Sequence, residues 1–283
     1  MRPSAGFLAV LSLAALGAAA PAVAGTTTVT WHGHAAFEIV TPGGAVLMID
    51  PWLANPVNPK ARDKRDPLPD IQRLDYIVIT HGHADHVGDA VALAERTGAR
   101  LIANPELGRN LVKLHGYPKG QATRETLMNM GGEIDIAGGE VMVTLTPAVH
   151  SSGLGNPFAG DQDPDVVYGG NPTGVVLKIK GGPTIYHTGD TAYFSDMKLI
   201  GELHAPDLAL INIGGHFGME PPMAARAAQD VKARTVVPHH YGTYPILTQE
   251  ARGFIDAVKG AQVLVLQPGA SLTYEGRKFR LKR

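Results

Sequence analysis

Thr80-His81-Gly82-His83-Ala84-Asp85-His86 packs three imidazoles and a carboxylate into one short turn, directly after the apolar run Tyr76 to Thr80. A short apolar run bounded by polar residues reads as a buried strand, so the histidines stand where the chain leaves it. With 12 His in 283 residues, a His-x-His-x-Asp-His pattern arises in roughly one shuffled chain in a thousand. The spacing suits metal chemistry. A turn that alternates His81 and His83 aims both rings at one ion, while Asp85 and His86 reach a second beside it. Gly82 permits the tight backbone between them.

One motif cannot close two metal sites, so further ligands are expected where other strands end on a rigid scaffold. His150 follows the run Val141 to Thr146, Asp190 follows Thr184 to His187, and His239-His240 follows the short apolar run Thr235 to Val237. Adjacent side chains in an extended segment point to opposite sides, so one of His239 and His240 faces the metals. The chain holds no Cys, which restricts any metal to nitrogen and oxygen ligands. Two divalent ions are expected, zinc by default, with manganese or iron accommodated by the same ligands.

Outward from this motif, strands and helices alternate. Strand-like runs at Thr26 to Trp31, Ala36 to Thr41 and Ala45 to Asp50 form an opening meander, and Pro51 to Asp70 reads as a surface loop. A helix is expected over Val87 to Thr97, a strand near Leu101 and a helix from Pro105. Further strands are expected at Ile134 to Ile136, Val141 to Thr146, Gly174 to Ile179, Thr184 to His187, Leu208 to Ile211, Thr235 to Val237, Val263 to Leu266 and Ser271 to Tyr274. Helices are read at Pro221 to Val231 and Thr248 to Lys259. The class is mixed α and β, and without linker or repeat it reads as one domain over residues 25–283. Residues 151–173 carry no pattern and read as a lid or insert.

The first 24 residues read as a secretory signal: Arg2, an apolar run from Phe7 to Ala20, and the small-residue site Ala22-Val23-Ala24. A periplasmic or secreted protein, with no membrane attachment after cleavage, is the expectation. With 25 basic and 26 acidic residues the net charge is −1, which leaves no electrostatic footprint for nucleic acid. A small-molecule substrate is expected instead, and a homo-oligomer is compatible with this composition. The loop cations Arg62, Lys64 and Arg65 could draw in a phosphate, but Asp63 and Asp66 offset them.

His81 to His86, then His150, Asp190 and His240, in that order, resemble the ligand set of the metallo-β-lactamase superfamily. Further segments resemble its branch of metal-dependent hydrolases related to ascorbate-6-phosphate lactonase: Gly33-His34-Ala35-Ala36-Phe37, Asp50-Pro51-Trp52, His150-Ser151-Ser152, Tyr168-Gly169-Gly170, Tyr186-His187-Thr188-Gly189-Asp190-Thr191 and Pro238-His239-His240-Tyr241. The likeness implies a four-layer αββα sandwich. It also implies His81, His83 and His150 on one metal, Asp85, His86 and His240 on the other, and Asp190 bridging. Asp50 resembles the acid that steadies the metal-binding loop. The chain departs from that branch at Gly218 and Glu220, where a Thr and a Gly are expected.

Two ions about 3.5 to 4 Å apart can share a water whose pKa falls from about 15.7 toward about 7, giving a bridging hydroxide. An ester, lactone or phosphoester is the expected target, with Asp85 or Asp190 orienting the nucleophile and accepting a proton. Candidate oxyanion donors are His216, Tyr241 and His34, each beside a ligand motif. His34 and His187 read equally well as hydrogen-bonded structural histidines, while His32, His115 and His204 read as surface. The alternatives are a periplasmic zinc β-lactamase, which Asp190 argues against, and a non-catalytic metal-binding protein of the same fold.

Overall fold

Along Thr27–Gly33 every second side chain turns inward, the period that lays one face of a strand on a core. The computed structural model describes residues 25–158 and 165–282, and the expected export signal lies outside them. In chain order the first half comprises β1 (Thr27–Gly33), β2 (Ala36–Val40), β3 (Val46–Ile49), α1 (Pro59–Arg62), β4 (Tyr76–Val78), α2 (Ala84–Val87), α3 (Ala90–Thr97), β5 (Arg100–Ile102) and α4 (Pro105–His115). It continues with β6 (Glu133–Ile136), β7 (Val141–Pro147), β8 (Gly153–Gly155), β9 (Val166–Tyr168), β10 (Thr173–Ile179), β11 (Thr184–His187), α5 (Met197–His204) and β12 (Leu208–Asn212). The last segment holds α6 (Pro221–Val231), β13 (Thr235–His239), α7 (Arg252–Ala257), β14 (Gln262–Val263), β15 (Ser271–Glu275) and β16 (Lys278–Leu281).

Two seven-stranded sheets result, ordered β16-β15-β1-β2-β3-β4-β5 and β14-β13-β12-β11-β10-β7-β6. The pairs β3 to β5 and β11 to β14 are parallel and the rest antiparallel. Alternation splits each strand between two cores. Phe37, Ile49 and Val78 meet Val143, Val175 and Leu210 between the sheets, whereas Met48, Ile77 and Ile79 face outward onto Leu93, Leu107 and Leu111 of α3 and α4. On the other side Val176, Ala209 and Val236 lie under Met197, Ala224 and Phe254 of α5, α6 and α7. Each large side chain so buried contributes about 1.5–3 kcal/mol. The order of layers is helix, sheet, sheet, helix, the αββα sandwich that the resemblance implies.

Several elements differ from the sequence reading. The helix expected over 87–97 breaks at Gly88, whose φ is 40° and where an added Cβ would lie 2.5 Å from Trp52 Cα. That close approach, with Asp89 Oδ2 accepting from Leu53 N at 2.7 Å, clamps the segment after Asp50 onto the histidine turn. Pro51 to Asp70 is less of a surface loop than expected: it carries α1 and buries Leu53, Asn55 and Asn58. The patternless stretch 151–173 holds the hairpin β8–β9, too short to show a period. Helix α5 and strand β16 were not expected, and the last helix spans only Arg252–Ala257. His115 is partly buried, with its Nε2 on the Gly155 carbonyl at 2.8 Å.

Candidate metal centre

The parallel strands deliver the chemistry. In open α/β sheets the crevice beyond the carboxyl ends of the strands is where loops converge. Asp50 follows β3, the run His81 to His86 follows β4, Asp190 follows β11, Asn212 ends β12 and His240 follows β13, while His150 leaves β7. Two ties join the sheets at this edge: Thr173 N and Oγ1 both donate to the Thr80 carbonyl at 3.0 Å, and His240 N donates to the His34 carbonyl at 3.0 Å. His34, Asp50 and His240 adopt left-handed φ values of 52°, 45° and 63°. Non-glycine residues are held so at a cost of about 1–3 kcal/mol each, and such strain gathers at functional sites.

All seven residues expected as ligands meet here. The donor atoms of His81, His83 and His150 lie within 4.8 Å of one another, as do those of His81, His86 and Asp190, and those of His34, Asp85, His86 and His240. Asp190 Oδ2 stands at the junction, 2.9 Å from His240 Nε2, 3.3 Å from His86 Nε2 and 3.7 Å from His150 Nε2. Its other oxygen accepts from Asn212 Nδ2 at 2.6 Å. Asp85 Oδ2 accepts from His34 Nε2 at 3.0 Å, and Thr243 Oγ1 sits 2.7 Å from His34 Nδ1. His239 turns to the opposite side and stacks on His187 with centroids 4.4 Å apart, so of the adjacent pair His240 faces the cluster.

The donor set fits a metal on three grounds. Buried polar atoms normally have partners, yet His240 Nδ1 is buried with none, and His86 Nε2 and His240 Nε2 reach the Asp190 carboxylate without the geometry of a hydrogen bond. The carboxylates Asp50, Asp85 and Asp190 pair within 4 Å only with histidines, and among the described residues no Lys or Arg offsets them. Burial alone would raise the Asp190 carboxyl, but His240 and His86 hold it well below the usual range. Burial lowers the pKa of His81, His83 and His150, which favours the neutral imidazoles a metal needs. At His86 the charges of Asp190 and Asp50 overcome burial and raise the pKa: this position calls for a cation.

A cavity of about 440 Å³ opens over the cluster. His83, Asp85, His150, Asp190 and His240 reach it, and Ala84, Ser151, Phe217 and Tyr244 complete its walls. Neither His216 nor Tyr241 lines it, which corrects their placement as oxyanion donors. His216 is exposed, edge-on to Phe217. Tyr241 stacks on Trp31 at 5.7 Å and lines a different cavity, because the left-handed turn at His240 sends the next side chain to the other side. Asn212, Thr243, Phe217 and Tyr244 escaped the sequence reading. For Asn212 a signal existed, since it ends an apolar strand as Asp190 follows one.

Comparison with known proteins agrees with this architecture. Residues 46–241 match the family described as Beta-lactamase superfamily domain. The chain is 51% identical over 255 residues to a UPF0173 metal-dependent hydrolase of Anaeromyxobacter sp. (strain K), covering 89% of each chain. It is 46% identical over 230 residues to a UPF0173 metal-dependent hydrolase of Thermodesulfovibrio yellowstonii, covering 81% of this chain and 84% of that one. Among solved structures, Igni18, a metallo hydrolase from the archaeon Ignicoccus hospitalis, aligns with a TM-score of 0.73 at 34% identity, over 88% of this chain and 99% of that chain. With identity of that depth across most of its length, the chain belongs to the metallo-β-lactamase superfamily and, within it, to the UPF0173 metal-dependent hydrolases.

Proposed function

We propose that the protein hydrolyses an ester, lactone or phosphoester at a centre of two divalent ions, zinc by default. The observation that carries this is the single buried oxygen Asp190 Oδ2, which faces imidazoles from three separate segments within 3.7 Å. In this reading His81, His83 and His150 would hold one ion and Asp85, His86 and His240 the other, with Asp190 placed between the two groups. Such ions, when bound, act as Lewis acids and lower the pKa of water from about 15.7 to about 7.

Asp190 is poorly suited to move a proton, because Asn212 holds Oδ1 and the side chain is only 2% exposed. Asp85 is 21% exposed and lines the cavity, so it would be the carboxylate placed to accept a proton from water there. His34 positions it. Burial, with His240 beside it, pushes the His34 pKa down to about 4, so the ring is neutral. Thr243 then donates to Nδ1, and Nε2–H donates to Asp85 Oδ2. Tyr244 replaces Tyr241 as the candidate oxyanion donor, since burial and the Asp85 charge raise its pKa and keep its hydroxyl protonated.

The N-terminal apolar run and its small-residue site support export to the periplasm or beyond, which sequencing the N-terminus of the mature protein would test. The function is tested by elemental analysis of the wild type and Asp190→Ala, alongside turnover of lactone, phosphodiester, carboxyl-ester and β-lactam substrates. Two ions per chain, loss of at least one in the variant, and loss of turnover with it are expected. A metal-free wild type, or an Asp190→Ala protein with full turnover, would overturn the reading.

A further inference from the structure

We infer that the substrate is an uncharged carboxylic ester or lactone bearing an apolar or aryl group that seats against Phe217 and Tyr244. This rests on the hydrolytic reading above and narrows it.

Two aromatic rings stand open at the mouth of the cavity: Phe217 is 51% exposed and Tyr244 38%. Large apolar side chains left in water beside a concave site mark a surface built to be covered. Neither is loose. Tyr244 stacks on Trp52 with centroids 5.6 Å apart and planes 16° off parallel, and His216 packs edge-on to Phe217 at 4.6 Å. A ring held in advance, as that of Tyr244 is, loses little freedom when a ligand lands on it.

Charge argues in the same direction. Beyond any metal ions, sites that bind a phosphate dianion commonly add Arg forks or lysines. Among the described residues no Lys or Arg lines this cavity. The loop cations lie elsewhere: Arg62 lines the cavity beyond Tyr241, and Arg65 lines another, paired with Asp63 at 3.1 Å. Asp50, Asp85 and Asp190 bring three carboxylates to the centre, offsetting most of the charge of two divalent ions. A phosphomonoester dianion therefore meets no side-chain cation, whereas a neutral carbonyl needs none.

In the reaction water adds to the acyl carbon and the bond from that carbon to the ester oxygen breaks. One proton is released. An ester yields a carboxylate and an alcohol, and a lactone a single hydroxy acid.

The test compares the metal-loaded wild type with Phe217→Ala, Tyr244→Ala, Tyr244→Phe and Asp190→Ala. Substrates are dihydrocoumarin, para-nitrophenyl butyrate, para-nitrophenyl phosphate and bis-para-nitrophenyl phosphate. The uncharged pair should exceed both phosphoesters in kcat/KM by about 100-fold or more; each Ala variant should raise KM for the uncharged pair about 5- to 20-fold, with kcat falling less in Phe217→Ala but strongly in Tyr244→Ala, which also loses the hydroxyl. Tyr244→Phe keeps the ring and should keep KM and lactam affinity while losing kcat with the hydroxyl. Calorimetric titration with the lactam dihydrocarbostyril gives a readout apart from turnover, and its affinity should fall in the Ala variants by a similar factor. Preference for either phosphoester, or unchanged KM and lactam affinity in both Ala variants, overturns the substrate class. Should Asp190→Ala abolish turnover in that case, the metal centre stands and only the substrate class fails; should it keep turnover, the centre itself fails.

Discussion

Asp50 Oδ2 accepts a hydrogen bond from His86 Nδ1 at 2.7 Å while the same carboxylate takes the Thr80 N–H at 2.8 Å and the Thr80 hydroxyl at 2.7 Å. A carboxylate only accepts, so His86 carries a proton on Nδ1, which leaves Nε2 as the ring atom available to a cation beside Asp190. Thr80, its hydroxyl proton given to Asp50, accepts from His81 Nδ1 at 3.0 Å and bares His81 Nε2 in turn. An amide cannot accept all three bonds. Asp50→Asn should therefore weaken metal binding about 10- to 100-fold, measured by competition with a chromogenic chelator. Unaltered affinity would remove Asp50 from this role.

Asn212 does for Asp190 what Asp50 does for His86. Its Nδ2 donates to Asp190 Oδ1 at 2.6 Å and its Oδ1 accepts from Gly214 N at 2.8 Å. Gly218 abuts it: an added Cβ would stand 2.4 Å from Asn212 Oδ1, a reason for glycine at a position where the family resemblance suggests Thr. Asn212→Ala and Gly218→Ala should both lower metal affinity, the first about 10-fold or more. If Gly218→Ala binds metal as the wild type does, Asn212 has room to move and the argument fails.

His34 is separable from the proposed ligands by experiment. Its donated bond orients Asp85, and removal of such a positioning group is expected to lower kcat about 10- to 100-fold. His34→Gln should retain the wild-type metal content while losing that rate. Loss of an ion in the variant would make His34 a ligand instead, as its place among the donor atoms of Asp85, His86 and His240 allows.

His187 gives a pH dependence of stability. Gly189 N donates to its Nδ1 at 3.0 Å, which leaves Nε2–H for the Ala35 carbonyl at 3.2 Å. Burial pushes its pKa from 6.5 down to about 4. Between those values the unfolded chain binds a proton that the folded chain refuses, so stability is full above pH 6.5 and falls as the pH drops towards 4. At about 1.4 kcal/mol per pH unit over the roughly 2.5 units between them, the loss is at most about 3 to 4 kcal/mol. Chemical denaturation at several pH values should show the gap between wild type and His187→Gln narrowing as the pH falls; a constant gap would mean that His187 does not titrate.

Much of the site is legible along the chain, because a polar residue that ends an apolar run is a local signal. Tyr76 to His86 shows it in one stretch, and His150, Asp190 and His240 repeat it. The same rule, applied to Leu208 to Ile211, would have reached Asn212. Short elements were less legible: β8 and β9 have three residues each, less than two full alternations, and the break at Gly88 depends on the backbone of Trp52, distant in sequence.

Residue types and their punctuation were enough for the alternating strands and helices, the candidate nitrogen and oxygen ligands and the positions where they leave the strands, since each depends on neighbours within a few residues. Packing alone set the rest. His34 meets Asp85 across 51 residues, and Thr173 meets Thr80 across 93. Tyr244 rather than Tyr241 reaches the cavity because of a left-handed turn at His240, and the cations Arg62 and Arg65 lie away from it because α1 and the loop after it fold to another side. Periodicity tells which face of an element is apolar, but which side chains share a cavity follows from how distant segments pack, and no local pattern carries that information.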